Sequence, residues 1–169
     1  MSVSLRIGLL QITAGPEPGP NAAAAKSMVA EAARGGAELA LLPEVCNMIE
    51  PDRPKLREKV RPEADDETVA AVQAAARAAG IWVLIGSVVV DPEDGSGKLA
   101  NRSLLIDGAG DVRGRYDKMH LFDVEIGSGN VYRESDTYRP GAAAPIVQTP
   151  WGRLGMTVCY DLRFPHLYR

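Results

Sequence analysis

Two alanine-rich stretches that each stop at glycine, set between runs of leucine and β-branched residues, constrain the fold of this chain most tightly. The first is predicted to be a helix capped by Asn21 and running to about Arg34, with Gly35 and Gly36 ending it. The second begins at Asp65 or Asp66, carries Val69, Val72 and Ala76 at helical spacing, and ends at Gly80. Around them, Ser4–Ile12 and Leu39–Leu42 read as buried strands and Ile81–Val90 as a long β-branched one. Ala100–Ile106 and Val112–Lys118 extend the set by hairpins, and Ile146–Thr149 and Leu154–Val158 form a later pair. Met119–Ala144 reads as one long polar loop, and Phe164–Arg169 as the start of a helix. Strands interleaved with helices in this order predict an α/β fold whose helices cover a sheet face.

Length supports a single unit. The chain has 169 residues, without an internal repeat or linker. Its apolar share of 46% and charged share of 24% are those of an ordinary globular protein. A net charge of −3, with no basic run, removes the electrostatic case for nucleic acid or an anionic membrane as partner. The opening MSVSLRIGLLQIT holds an apolar run too short for a membrane span. Cys46 and Cys159 are the two cysteines and make no disulfide framework, so a reducing cytoplasm is the expected setting.

Three segments each place a chemically useful residue at the carboxyl end of a predicted strand, where open α/β sheets gather functional groups. They are LALLPEVCN with Glu44, GRYDKMHLFD with Lys118, and GRLGMTVCYDLRFP with Cys159. A thiolate attacks electrophilic carbon, and a nearby carboxylate can take the thiol proton. An ammonium, together with the backbone N–H of Tyr160, can stabilise an oxyanion. A helix starting after Cys159 is expected to favour the charged thiol. Each residue also has a plain reading: Cys159 as core, Glu44 as a solvated loop carboxylate, Lys118 as a surface charge. Spacing alone does not choose between these.

The segments PEVCN, YDKMHLFD and VCYDLRFP together resemble the three signature regions of the nitrilase superfamily, the carbon–nitrogen hydrolases with a Glu-Lys-Cys triad. DKMHLFDVEI and CYDLRFP are closest to its Nit branch, which contains ω-amidases and deaminated-glutathione amidases. The resemblance implies a four-layer α-β-β-α sandwich, with Glu44 as general base, Lys118 as oxyanion-stabilising cation and Cys159 as nucleophile. By the same likeness, Glu134 in VYRESDTYRPG is the second active-site glutamate, with Glu125 as the other candidate. Arg163 is implied to receive a substrate carboxylate, for which a guanidinium is suited; a salt bridge to Asp161 is its alternative. Cys46, His120 and His166 are read as structural, and no metal or cofactor is implied. Where the branch often reads RFPE, this chain reads RFPH, so His166 stands in place of a glutamate.

The implied reaction is hydrolysis of a small carboxylate-bearing amide through a cysteine thioester. Nitrile and carbamoyl hydrolysis are alternatives with the same triad. The resemblance also implies that residues 1–169 are the N-terminal part of one hydrolase domain that runs on for roughly a hundred residues and dimerises when complete. A non-catalytic fragment is the competing expectation.

Overall fold

The computed structural model describes residues 4–127 and 130–169. Its centre is a five-stranded mixed sheet in the spatial order β1 (Ile7–Leu9), β2 (Leu39–Leu41), β3 (Trp82–Val90), β4 (Ala100–Ile106), β5 (Val112–Asp117). β1, β2 and β3 are parallel, and β4 and β5 are added antiparallel, so β5 again runs in the direction of β3. The carboxyl ends of β2, β3 and β5 and the beginning of β4 therefore share one edge of the sheet.

Two helices cover one face, α1 (Pro18–Arg34) and α3 (Glu67–Ala79). Their small side chains let the helices lie close to the sheet, and Ala25, Val29, Val72 and Ala76 join Ala40, Val83, Ile85 and Leu104 in the main core. α3 starts at Asp66, whose carboxylate accepts from the Val69 N–H at 2.9 Å, and stops at Gly80 in the left-handed conformation, φ 67°. α1 departs from expectation. It begins three residues before Asn21, with prolines in a first turn that needs no N–H donor there. Asn21 is inside the helix, and its amide binds the Gly15 backbone and the Asn47 carbonyl instead of capping.

The opposite face carries Leu39, Leu105 and Tyr116, which pack against a two-stranded ribbon of β8 (Ile146–Thr149) and β9 (Gly152–Gly155). The described residues thus build a helical layer, a sheet and a ribbon on its second face. β9 ends at Gly155 and not at Val158 as predicted, although Met156 and Val158 still point into this core. Val158 leaves the ladder because its N–H is taken by Asp161.

Three further predictions change. β1 is shorter than read and lies at the edge of the five-stranded sheet, with Leu9 exposed. Part of the polar stretch after Cys46 forms a short helix, α2 (Arg53–Lys59). The long loop after Met119 holds a hairpin, β6 (Asp123–Ile126) and β7 (Asn130–Arg133), and then a 3₁₀ turn at Glu134–Asp136. A four-residue helix, α4 (Pro165–Tyr168), comes after the Cys159 turn. Among the described residues no helix is long and apolar enough to cross a membrane.

Candidate active site

Glu44 is placed by a bulge in the neighbouring strand. The β3–β4 register shifts between Ile85 and Val88, which keeps Val83, Ile85, Val88 and Val90 on the helix side across an odd-to-even change. At the bulge, Gly86 N–H donates to Leu42 O and Ser87 N–H to Pro43 O, at 3.0 and 3.2 Å. The Ser87 hydroxyl accepts from Val45 N–H and its carbonyl from Cys46 N–H. A Cβ at position 86 would come within 2.3 Å of Leu42 O, so only glycine admits this approach. Buried Asn47 completes the lacing: its amide pairs with both the N–H and the carbonyl of Val89 and reaches Asp66. Val45, at φ 50°, turns the chain so that Glu44 faces the shared sheet edge.

Lys118 comes directly after β5 and is 2% exposed. Its ammonium lies 3.1 Å from Glu44 Oε1 and 3.1 and 3.0 Å from the two oxygens of Glu134. Burial works to lower its pKa, but the Glu44 charge and the Glu134 hydrogen bond and charge outweigh it, so Lys118 stays charged above its ordinary range. Glu134, 6% exposed, is fixed by a 2.6 Å hydrogen bond from Phe122 N–H at the base of the β6–β7 hairpin. Glu125 sits exposed on β6, away from this cluster.

Cys159 closes the group from the other side of the sheet edge. It has φ 46°, a conformation that L-residues seldom adopt and that functional turns often hold. The turn is held by Asp161, whose buried carboxylate accepts from Val158 N–H at 2.8 Å, Tyr116 Oη at 2.7 Å and His120 N–H at 3.1 Å. His120 Nδ1 lies 2.7 Å from the same carboxylate, and its ring stacks on Phe164. Cys159 opens a five-residue 3₁₀ turn, Cys159–Arg163, in place of the longer helix whose dipole was expected to favour thiolate. The thiol is in fact held above its ordinary pKa, first by partial desolvation and then by the Glu44 charge, against an opposing pull from Lys118.

Glu44, Lys118, Glu134 and Cys159 line one cavity of about 540 Å³. Asn101, at the start of β4, lines it too and donates to Glu44 Oε1 at 2.9 Å and Glu134 Oε1 at 3.4 Å. The sequence reading passed over this residue, which is one of three consecutive polar residues in ANRSLLI and carries no distinguishing local signal. It also missed the role of Asp161. Tyr160 and Arg163 are not in the cavity wall: Tyr160 packs edge-on between Phe122 and Phe164, and Arg163 is exposed. The carboxylate of Asp161 is occupied by Tyr116, His120 and Val158, which leaves no close pairing with Arg163. Cys46 is fully buried in the helix-side core, and burial pushes its thiol up to about 12. His166 is exposed on α4.

Known proteins share this framework. The deaminated glutathione amidase of Yersinia enterocolitica is 36% identical over 164 residues, covering 96% of this chain and 57% of that protein. The human omega-amidase NIT2 is 31% identical, with 97% of this chain and 58% of that protein covered. The chain thus spans little more than half the length of these relatives. Among solved structures, the Caenorhabditis elegans NitFhit protein superposes with a TM-score of 0.84 at 35% identity, covering 95% of this chain and 39% of that one. An amidase from Nesterenkonia sp. AN1, bearing acrylamide added to its active-site cysteine, superposes with a TM-score of 0.79 at 28% identity, over 97% of this chain and 61% of that one. The carbon-nitrogen hydrolase family model matches residues 6–169. The α/β architecture, the thiol-centred cavity and this match converge: the chain belongs to the carbon-nitrogen hydrolase family.

Proposed function

We propose that this chain carries the catalytic machinery of an amidase that hydrolyses a small amide through a cysteine thioester. The observation that carries the reading is one cavity wall presenting a thiol, a buried ammonium and two carboxylates. In this reading Glu44 takes the thiol proton and Cys159 Sγ attacks the amide carbon. Lys118 and the Tyr160 N–H, in a first turn with no intrahelical acceptor for it, stabilise the oxyanion. The tetrahedral intermediate collapses as Glu44 returns the proton to the leaving nitrogen, and ammonia or an amine departs. Water, deprotonated by Glu44 with help from Glu134, then cleaves the thioester and frees the acid and the thiol.

A carboxylate on the substrate is supported by the arginines near the site. Arg53 and Arg133 line the cavity, while Arg163 lies outside the described wall. The amidase names of the relatives favour amides over nitriles or carbamoyl compounds. Two free cysteines are in keeping with a reducing, cytoplasmic setting. The homodimer implied by the resemblance is read out by light scattering of the purified enzyme.

The test is mass spectrometry of the enzyme quenched during turnover of an amide panel with and without a carboxylate. An acyl adduct on Cys159 and loss of all turnover in Cys159→Ala are expected. Turnover surviving in Cys159→Ala overturns the reading. Equal rates with and without the carboxylate remove the arginines from recognition.

A further inference from the structure

We infer that Asn101 is a positioning residue that decides which oxygen of Glu44 receives the thiol proton, an inference that rests on Glu44 acting as the general base. Asn101 is the second residue of β4, and its side chain is 2% exposed in the cavity wall. Its Nδ2 donates to Glu44 Oε1 at 2.9 Å, and Lys118 Nζ donates to the same oxygen at 3.1 Å. Oε1 therefore carries an amide and an ammonium donor. Among the described residues no nitrogen donor is bonded to Oε2.

Donors bound to the anionic form hold its lone pairs and make that oxygen a poorer proton acceptor. The proton leaving Cys159 is thereby directed to Oε2, and the two bonds at Oε1 fix the plane in which Oε2 is presented. An amide does this without adding charge. The second hydrogen of Nδ2 reaches Glu134 Oε1 at 3.4 Å, so one neutral group stands between two carboxylates that share a single lysine. Its backbone is equally fixed, because Lys118 N–H donates to the Asn101 carbonyl at 2.9 Å.

The orientation of the amide has a visible cost. Asn101 Oδ1 is buried without a hydrogen bond among the described residues. Reversing the amide would set Oδ1 against both carboxylates, so the nitrogen faces them and the acceptor is left over. The charged and titratable groups around this point are Lys118 after β5, Glu134 after β7, Cys159 in its turn, and Tyr138, whose phenol burial and then Glu134 hold above its ordinary range.

The experiment compares the enzyme with its Asn101→Ala and Asn101→Asp variants, using succinamic acid as substrate, and records the pH profile of kcat/KM, the pH profile of Cys159 alkylation by iodoacetamide, and thermal melting. With the Asn101 donor gone from Oε1, the acid limb of the kcat/KM profile is expected to move to higher pH. The expected shift is about half a unit or more in Asn101→Ala and larger in the near-isosteric Asn101→Asp, which adds a third carboxylate. A fall in kcat of about tenfold or more accompanies it, with KM changed less. Asn101→Asp decides the matter if Asn101→Ala does not fold. Wild-type kinetics, or activity lost alongside melting temperature with the acid limb unmoved, overturns the inference. If Glu44→Gln retains turnover, the reading of Glu44 as base fails first. If Glu44→Gln is inactive and the Asn101 profiles match wild type, this inference alone fails.

Discussion

The Tyr116 hydroxyl donates a 2.7 Å hydrogen bond to Asp161, tying the strand that leads into Lys118 to the turn that carries Cys159. Nucleophile and cation come from opposite sides of the sheet edge, and this buried contact sets their separation. Asp161 also takes Val158 N–H and His120 N–H, so a single carboxylate gathers three donors, two from residues 116–120 and one from its own turn.

Tyr116→Phe removes one donor from a carboxylate with no exposure. The expected loss of stability is about 1–3 kcal/mol, and kcat falls because the Cys159 turn loses its anchor to β5. Asp161→Ala leaves several buried donors without an acceptor and costs more than Tyr116→Phe. Urea denaturation and kcat measured on both variants check the order; equal stability of wild type and Tyr116→Phe would show the bond to be dispensable.

Glu44→Gln separates thiol acidity from turnover. Desolvation and then the Glu44 charge hold the Cys159 thiol up, so removing that charge lowers its pKa while Lys118 still pulls downward. The variant is expected to alkylate faster than wild type at neutral pH and yet to be inactive with amides, because the proton acceptor is gone. Lys118→Met shifts the thiol the other way. Rates of iodoacetamide labelling against pH measure both, and slower labelling of Glu44→Gln would contradict the assigned role of the Glu44 charge.

Gly86→Ala places a Cβ 2.3 Å from Leu42 O and 2.6 Å from the Pro43 carbonyl carbon. These are backbone atoms, so the segment carrying Glu44 must move. A destabilisation of about 1–3 kcal/mol is expected, with a loss of kcat larger than that of Gly19→Ala, where a Cβ meets only a flexible carboxylate at 3.5 Å. Melting temperature and kcat of the two variants settle it.

Cys46 makes stability fall in alkali. Its folded pKa of about 12 lies above the ordinary value of 9.0, so the unfolded chain loses this proton first as pH rises. The thiol's contribution is complete below pH 9 and is lost progressively toward pH 12, about 1.4 kcal/mol per unit. Urea midpoints of wild type and Cys46→Ala between pH 8 and 10 isolate it: the gap between them should narrow as pH rises.

Much of the fold was legible because it rests on local signals. Gly80 stops α3 and Asp66 starts it, since a left-handed residue and a side-chain acceptor are needs of the helix end itself. The turn before Ala100–Ile106, which lets it pair as a hairpin with the preceding strand, marked β4 to the residue. Where a distant partner intervenes, the reading failed. Asn21 looks like a cap until Gly15 and Asn47 claim its amide, and Val158 looks like a strand residue until Asp161 takes its N–H. The β6–β7 hairpin was hidden within a polar stretch, yet it is the hairpin that brings Glu134 to Lys118.

By itself, the sequence determined the α/β order of elements and marked Glu44, Lys118 and Cys159 as the candidate site residues, because helix ends, apolar runs and short motifs are local properties of the chain. Tertiary structure alone decided that Glu134 and not Glu125 meets Lys118, that Asn101 stands between the two carboxylates, and that burial and the Glu44 charge push the Cys159 thiol pKa up. Those outcomes depend on distances between residues far apart in sequence and on how much water their packing excludes, and neither is written in any one segment.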